Sequence, residues 1–386
     1  MFLRAGRHPL RTWWQRVDRL SVMLILAIMA LGCLVLITAS TAVASDFNVS
    51  VWHFAQRQLL FIAASLPLML LFSSFTLERL KLIALVLLIG ALVGVALTLV
   101  MGEGVKGATR WVAIGGFKVQ PSEFLKPALV LVTAWLFAHP EPQQARRNFV
   151  VSLALMALVT ILLLLQPNFG MWLIIAAVWG GQAFLAGYPF LWLVGLGGAG
   201  ATLAASAYFI FDHVRSRVDR FLDPSSGDTF QVDQAQEALI SGGFVGRGPG
   251  EGVVKHSLPD AHTDFIFAVI GEEFGLLACS VLLLLYGVLM WRLFGRLLQQ
   301  PDRFTLLAGL GLLLVFGAQV LINAGVVLHL LPTTGVTLPF MSYGGSSTFA
   351  MAIIFGILLA LTRQGELHAQ PHWPHRAAHR DTQRSD

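Results

Sequence analysis

The chain has 386 residues, of which 56% are hydrophobic and 12% charged, with a mean hydropathy of +0.72. A soluble chain carries about 25% charged residues, so the composition excludes a soluble globular protein. The net charge is +5, and apolar runs recur from end to end. These features predict one all-α, polytopic membrane domain, and we expect no nucleic-acid partner.

The N-terminal 20 residues form a basic tail with five arginines ahead of the first apolar run. Residues 42–44 read Ala-Val-Ala, which is typical of a signal-peptidase site. The core of a signal peptide is about 7–15 residues long, whereas the run from Ser21 to Ala44 is long enough to cross a bilayer. We therefore predict a retained first helix.

Ten apolar runs predict about ten transmembrane helices, at residues 21–44, 59–75, 82–101, 123–138, 149–165, 170–186, 190–211, 265–291, 304–328 and 347–362. Only residues 166–169 separate the fifth run from the sixth, so this break is either a tight turn or a kink. The domain then covers residues 21–363. Residues 364–386 are polar and rich in His, Arg, Gln and Pro, which predicts a disordered cytoplasmic tail.

The distribution of positive charge predicts the topology. An even number of spans puts both termini on one side, and sixteen of the 26 lysines and arginines then lie on that side, against nine on the other. Because cytoplasmic loops carry the excess of positive charge, both termini are predicted to be cytoplasmic. The long segment between spans 7 and 8, residues 212–264, is then extracytoplasmic.

The first polar constellation flanks the start of the fourth span. Arg110 precedes it, and Glu123 and Lys126 lie three residues apart, so that they share a helix face. One interpretation is an ion pair that makes membrane insertion tolerable. The other is that Arg110 and Lys126 hold an anionic group near the interface, and the two are compatible.

The 212–264 segment is too long for a simple connector. Residues 230–239 are predicted to form a short helix on the membrane surface, ended by Gly242 and Gly243. A flexible, cationic, glycine-rich loop follows at residues 246–252. The basic residues Arg215, Arg217 and Lys255 belong either to a solvated surface or to a site for an anionic ligand.

Carboxyl groups lead into the eighth span. Asp264 stands at its start, and Glu272 and Glu273 lie about two turns, or ~12 Å, further along if the helix is continuous. Ionised groups at such depth normally face a cavity or a partner. The glutamates could bind a divalent cation such as Mg²⁺ or Mn²⁺, accept hydrogen bonds, or remain protonated, so a metal requirement is left open.

The uncharged segment 331–347 precedes the last span and contains Ser342 and Ser346 beside glycines. Backbone N–H groups at a helix N-terminus form a natural anion cradle, so these serines are candidates for substrate binding. The alternative is a re-entrant plug that lets helices pack closely. The cysteines, Cys33 and Cys279, both fall inside apolar runs and are predicted to be core residues.

Six motifs occur together in a fixed order, and the chain resembles the SEDS family (shape, elongation, division and sporulation) over residues 14–363. The motifs are Gln120-Pro-Ser-Glu123, Gln166-Pro-Asn-Phe-Gly170, Arg220-Phe-Leu-Asp-Pro224, His262-Thr-Asp-Phe-Ile-Phe-Ala-Val269, Glu272-Glu273-x-Gly275 and Leu338-Pro-Phe-Met-Ser-Tyr-Gly-Gly-Ser-Ser347. One departure is Asn168, which stands where the family usually has Asp.

The resemblance implies a peptidoglycan glycosyltransferase of the bacterial inner membrane that polymerises lipid II, which is carried on undecaprenyl pyrophosphate. It assigns the essential acidic residue to Asp264 and the charged pair to Glu123 and Lys126. His262 lies in the same motif as Asp264 and is expected to contact substrate. The division branch is favoured over the elongation branch by the arginine-rich N-terminus with Trp13 and by the residues 331–335.

The same resemblance implies partners in the division machinery. These are a class B penicillin-binding transpeptidase and its single-span regulatory subunits, together with membrane lipids. The competing hypotheses are a lipid II flippase, which needs no carboxylate at its outer mouth, and a non-enzymatic scaffold. A pyrophosphate leaving group needs cations rather than a proton donor, so one carboxylate, Asp264, suffices as general base.

Overall fold

The computed structural model describes residues 9–44, 50, 52–105, 108–139, 141–210, 212–222 and 229–363. The predicted tail at residues 364–386 lies outside these ranges. Each predicted span corresponds to one apolar α-helix. These are α2 (Arg19–Ala44), α3 (His53–Ser74), α4 (Leu77–Met101), α5 (Pro121–Phe137), α6 (Pro142–Leu165), α7 (Phe169–Leu185), α8 (Phe190–Ile210), α11 (Ile266–Leu297), α12 (Arg303–Val327) and α13 (Gly345–Leu361).

Among the described residues, seven of these helices are long and apolar enough to cross a bilayer by length and composition. The other three, α5, α7 and α13, have 17 residues each. At 1.5 Å per residue such helices are about 26 Å long, slightly less than a bilayer core. Most of α5 and α13 is buried by neighbouring helices, and α12 packs against α5, α7, α11 and α13. The helices α5, α12 and α13 therefore form the centre of the bundle.

The remaining helices are α1 (Pro9–Arg16), α9 (Asp212–Leu222) and α10 (Phe230–Gly242), with a 3-10 turn at Val254–His256. The basic tail thus contains a helix, α1, whose Trp13 Nε1 donates a hydrogen bond of 2.7 Å to Ser73 Oγ at the end of α3. The break at residues 166–168 is a tight turn between two separate helices, α6 and α7.

A small antiparallel sheet precedes α5, in a loop where the sequence analysis predicted no strands. It consists of β1 (Glu103–Val105), β2 (Ala108–Ile114) and β3 (Phe117–Val119), with β2 in the middle. Gly115 and Gly116 connect β2 to β3 with φ angles of 57° and 81°. Two successive positive φ angles fit the type I′ turn that matches the twist of a hairpin. The all-α prediction therefore applies to the helical bundle and not to this loop.

The helix α10 confirms the short helix predicted at residues 230–239, and it extends to Gly242. It packs against the first part of α11. A Cβ at Gly242 would lie 2.0 Å from the carbonyl oxygen of Gly271, so only glycine permits this approach. Gly243 ends the helix with a φ of 57°.

The helix α11 is broken at Gly275, which has φ 79° and ψ 176° and lies beyond Glu272 and Glu273. The segment 243–248 fills the break with its backbone. The N–H groups of Leu276 and Leu277 donate to the carbonyls of residues 243 and 244, at 2.9 and 3.1 Å. The N–H groups of residues 247 and 248 donate to the carbonyls of Glu272 and Glu273, at 2.9 and 3.0 Å.

The first residues of the glycine-rich loop at residues 246–252 pack against α11, whereas residues 249–251 are exposed. A Cβ at Gly246 would lie 2.2 Å from the carbonyl oxygen of Glu273. Glycines here permit the close approach of two backbones, and this satisfies the hydrogen bonds that the break in α11 leaves open.

The end of the bundle opposite Asp264 is held by an ion cluster. Both carboxylate oxygens of Asp18 accept hydrogen bonds of 2.6 Å from Arg292, and Arg296 adds a bond of 3.0 Å. Burial opposes ionisation of this carboxyl, but the bonds from Arg292 and Ser21 and the nearby arginine charges outweigh it and lower the pKa of Asp18 to about 2. The cluster ties the start of α2 to the end of α11.

Candidate functional site

Asp264 lies two residues before α11 and is half-buried. The 331–344 segment, which connects α12 to α13, passes beside its carboxylate. A Cβ built at Gly335 would lie 3.6 Å from Asp264 Oδ2 and 4.0 Å from Arg110 Nη1. The carboxylate and the guanidinium therefore converge on one exposed glycine, whose φ of 72° favours that residue type. This convergence of opposite charges is the core of the candidate active site.

The side chain of Arg110 extends from β2 toward the turn between α6 and α7. Its Nε donates to the carbonyl of Gln166 at 3.4 Å, and its Nη2 donates to the carbonyl of Pro167. The Gln166 side chain in turn donates to the carbonyl of Val95 at 3.1 Å. This turn therefore orients the arginine. Asn168, in the same turn, donates a bond of 3.4 Å to Ser122 Oγ.

Glu123 and Lys126 form the predicted ion pair, with 2.8 Å between Oε2 and Nζ. Lys126 also donates to Gln319 Oε1 on α12 at 3.0 Å. The side chains of Lys126 and Glu123 are 0% and 6% exposed. Two of the three ammonium donors are thus used inside the bundle. The interpretation as an ion pair that stabilises the buried charge has direct support in this geometry.

The carboxylate of Glu272 accepts hydrogen bonds from three successive backbone N–H groups, those of Val253, Val254 and Lys255, at 2.6, 2.7 and 2.9 Å. Of the alternatives left open by the sequence, hydrogen bonding therefore describes Glu272. Glu273 forms a fully buried ion pair with the side chain of Lys255. The described residues contain no group of three or more His, Cys, Asp or Glu side chains that could hold a metal ion.

Lys255 is buried among protein atoms, and its side chain is 0% exposed. Its Nζ donates to the carbonyls of Thr38 and Gly250, at 3.1 and 3.2 Å, and to Thr41 Oγ1 at 3.2 Å. Lys255 therefore connects the 243–258 region to α2 as well as to Glu273. The first apolar helix, α2, is part of this packing.

The carbonyls around Asp264 are held by the 331–344 segment. Ser342 Oγ donates to the carbonyl of Thr263 at 2.6 Å and accepts from the N–H of Leu338 at 2.8 Å. The N–H of Tyr343 donates to the carbonyl of His262 at 2.8 Å. The structure therefore places Ser342, which the sequence analysis assigned to substrate binding, in bonds that fix the backbone beside Asp264.

The remaining predicted residues have different surroundings. His262 is buried against the rings of Phe54 and Tyr343, with centroids 4.9 and 5.5 Å away. Ser346 Oγ accepts from the N–H of Gln120 at 2.9 Å, which joins α13 to the start of α5. The structure thus packs both predicted substrate-binding residues between helices.

The basic residues of α9 form local contacts. Arg215 is exposed, lies 3.6 Å from Asp219 Oδ2, and is 6.0 Å from the ring centre of Tyr208. Arg217 lies on α9, and its side chain is outside the described part of the chain. The contacts described for Arg215 join α8 to α9 and do not connect it to Asp264.

Sequence reasoning missed two amides of α12, Gln319 and Asn323. Asn323 Nδ2 donates to the carbonyls of Asp264 and Val336, both at 2.8 Å. The available signal was two polar residues four positions apart inside an apolar span, because such residues share one helix face. Polar side chains at membrane depth commonly mark functional positions.

The chain is similar to known proteins over most of its length. The family model of FtsW, RodA and SpoVE, described as cell cycle protein, matches residues 18–367. The chain is 39% identical to the probable peptidoglycan glycosyltransferase FtsW of Caulobacter vibrioides (strain NA1000 / CB15N), covering 94% of this chain and 93% of the relative. It is 32% identical to stage V sporulation protein E of Bacillus subtilis (strain 168), and the match covers 90% of this chain and 97% of that relative.

Solved structures share the fold. One, described as "Structural coordination of polymerization and crosslinking by a peptidoglycan synthase complex", is 31% identical with a TM-score of 0.74, and the match covers 90% of this chain and 97% of that chain. The crystal structure of the rod shape determining protein RodA of Thermus thermophilus is 29% identical with a TM-score of 0.68, at the same coverage. The chain therefore belongs to the FtsW, RodA and SpoVE family of multi-pass membrane proteins.

Proposed function

We propose that the protein is a peptidoglycan glycosyltransferase that polymerises lipid II into glycan strands. The observation that carries the proposal is the convergence of Asp264 and Arg110 on the exposed Gly335. Relatives named peptidoglycan glycosyltransferase over more than nine-tenths of the chain support the same activity.

The reaction follows from the charges at this position. Asp264, as general base, takes the proton from the 4-hydroxyl of the acceptor sugar while that oxygen attacks the anomeric carbon of the donor. The bond between this carbon and the phosphate oxygen breaks, and undecaprenyl pyrophosphate leaves with the electron pair. Arg110 stabilises the charge on the leaving group. One displacement of this kind inverts the configuration at the anomeric carbon.

The two cationic side chains of the site have separate roles in this proposal. Arg110 is half-buried beside Gly335 and contacts the pyrophosphate. Lys126 is fully buried with Glu123 and Gln319, so it acts through the packing of α5 and α12.

The proposed setting is the cytoplasmic membrane at the division septum, with both termini in the cytoplasm. Several relatives carry the name FtsW, which supports the division branch. The proposed partners are lipid II, a class B penicillin-binding transpeptidase and single-span regulatory subunits. The similarity to a solved peptidoglycan synthase complex supports a transpeptidase partner.

The direct experiment supplies labelled lipid II to the purified full-length protein, with and without its transpeptidase, and separates the products by size. We expect labelled glycan chains to form. If labelled lipid II instead crosses the membrane of reconstituted vesicles with no polymer, the protein is a flippase and the proposed activity is wrong.

A further inference from the structure

Two side-chain amides interrupt the apolar sequence of α12, and both residues are buried, with Gln319 1% and Asn323 2% exposed. They lie four residues apart and so share one face of the helix. Gln319 contacts the ammonium of Lys126, and Asn323 contacts the backbone of Asp264. One turn of α12 thus joins the buried ion pair to the proposed general base.

The orientation of the Asn323 amide is determined by its acceptors. The two hydrogen bonds of 2.8 Å both end on carbonyl oxygens, so the NH₂ group must point toward them and both of its hydrogens are used. The Oδ1 atom is buried and has no hydrogen-bond partner among the described residues. An unsatisfied buried oxygen costs stability, so packing does not by itself explain an asparagine here.

The two acceptors of Asn323 belong to the two segments that meet at the candidate site. One is the carbonyl of Asp264 itself, and the other is the carbonyl of Val336, the residue after Gly335. Asp264 precedes α11, so its own backbone carbonyl lies outside the regular hydrogen bonds of that helix. The amide of Asn323 therefore joins the carboxylate-bearing residue to the segment that faces it, in addition to the bonds of Ser342 and Tyr343 to the two preceding carbonyls.

We propose that Asn323 is a positioning residue, which holds the carboxylate of Asp264 in the geometry required to reach the acceptor hydroxyl beside Gly335. The inference rests on the proposed function, because it acts through Asp264 as the base. Displacement of a catalytic group by about 1 Å can reduce the rate about 100-fold. Loss of Asn323 should therefore reduce turnover much more than substrate binding.

The test compares Asn323→Leu with a matched control, Gln182→Leu, in the full-length protein purified with its transpeptidase. Gln182 also donates to two backbone carbonyls, those of Val130 and Leu307, at 3.0 and 3.2 Å. It lies thirteen residues, or about 20 Å, along α7 from Phe169 near the site. Both variants lose a buried amide, so both should lower the melting temperature.

Only Asn323→Leu is expected to lower kcat for lipid II, by about 10- to 100-fold per folded molecule, with KM changed less than about twofold. In the background of Asp264→Asn, the substitution Asn323→Leu should reduce the residual rate no further, because its effect passes through the missing carboxylate. If Asn323→Leu does not fold, Asn323→Ser, which retains one donor, should show an intermediate loss of kcat.

Two results separate failure of this inference from failure of the proposed function. If Asp264→Asn is inactive while the folded Asn323 variants keep the kcat of Gln182→Leu, Asn323 is only structural and the inference is wrong. If Asp264→Asn polymerises lipid II at the normal rate, the assignment of the base is wrong and the inference is lost with it.

Discussion

Lys126 and Glu123 lie one helical turn apart inside α5, with 2.8 Å between their charged atoms and almost no exposure to solvent. Removal of one partner leaves an unpaired charge in a buried position, which costs about 3–5 kcal/mol. We predict that Lys126→Met and Glu123→Gln each destabilise the protein strongly. The double variant should lose less stability than the sum of the losses of the two single variants. The measurement is a double-mutant cycle on thermal unfolding in detergent.

The control for this cycle is the pair Glu78 and Lys81, which has the same spacing and a distance of 2.9 Å but is 82% and 23% exposed. Its coupling energy should be below about 1 kcal/mol, because water screens the charges. Strictly additive effects at Glu123 and Lys126 would contradict the role of the buried pair.

Gly246 and Gly250 offer a second matched comparison, since their φ angles are 83° and 85°. A Cβ at Gly246 would lie 2.2 Å from the carbonyl oxygen of Glu273, whereas a Cβ at Gly250 meets nothing within 4 Å. Gly250→Ala should cost about 1–2 kcal/mol from backbone strain alone. Gly246→Ala should cost more, because it also displaces the segment that fills the break in α11. Equal melting temperatures for the two variants would show that this backbone contact does not form.

The topology can be tested on the exposed residue Glu237 of α10. In a background with Cys33→Ala and Cys279→Ala, we expect Glu237→Cys to react with a membrane-impermeant maleimide added outside the cytoplasmic membrane. Gln299→Cys, in the connection between α11 and α12, should react only after permeabilisation. The reverse pattern would invert the predicted orientation, which rests on the distribution of positive charge.

Depletion of the protein in its source bacterium tests the division branch. We expect long cells without septa and of normal width, because lateral wall synthesis continues while septal synthesis stops. The measurement is cell length and width by microscopy during depletion. Rounded or widened cells that still divide would assign the protein to elongation instead.

The ten apolar helices were predictable from sequence because hydrophobic runs of sufficient length have few alternatives in a bilayer. The end of α10 at Gly242 and Gly243 was also predictable, because glycine commonly terminates helices. The charged pair at Glu123 and Lys126 followed from its spacing. In each case the structure depends on residues close together in the chain.

The features that were missed depend on contacts between distant segments. The break at Gly275 is stable because residues 243–248 satisfy its backbone groups, and neither segment shows this alone. Glu272 was open to several interpretations until its three N–H partners were placed. The link from Asn323 to Asp264 joins residues 59 positions apart. Charge and hydropathy patterns do not encode such pairings.

The most direct measurement is the rate of lipid II polymerisation by Asp264→Asn, which preserves the size of the side chain and removes the base. The variant should fold and insert normally, because the substitution preserves the shape of the side chain and leaves the backbone bond to Asn323 in place. The polymerisation rate should fall at least about 100-fold, as expected when a general base is lost. A rate near that of the unmodified protein would contradict the assignment of Asp264 as the catalytic base.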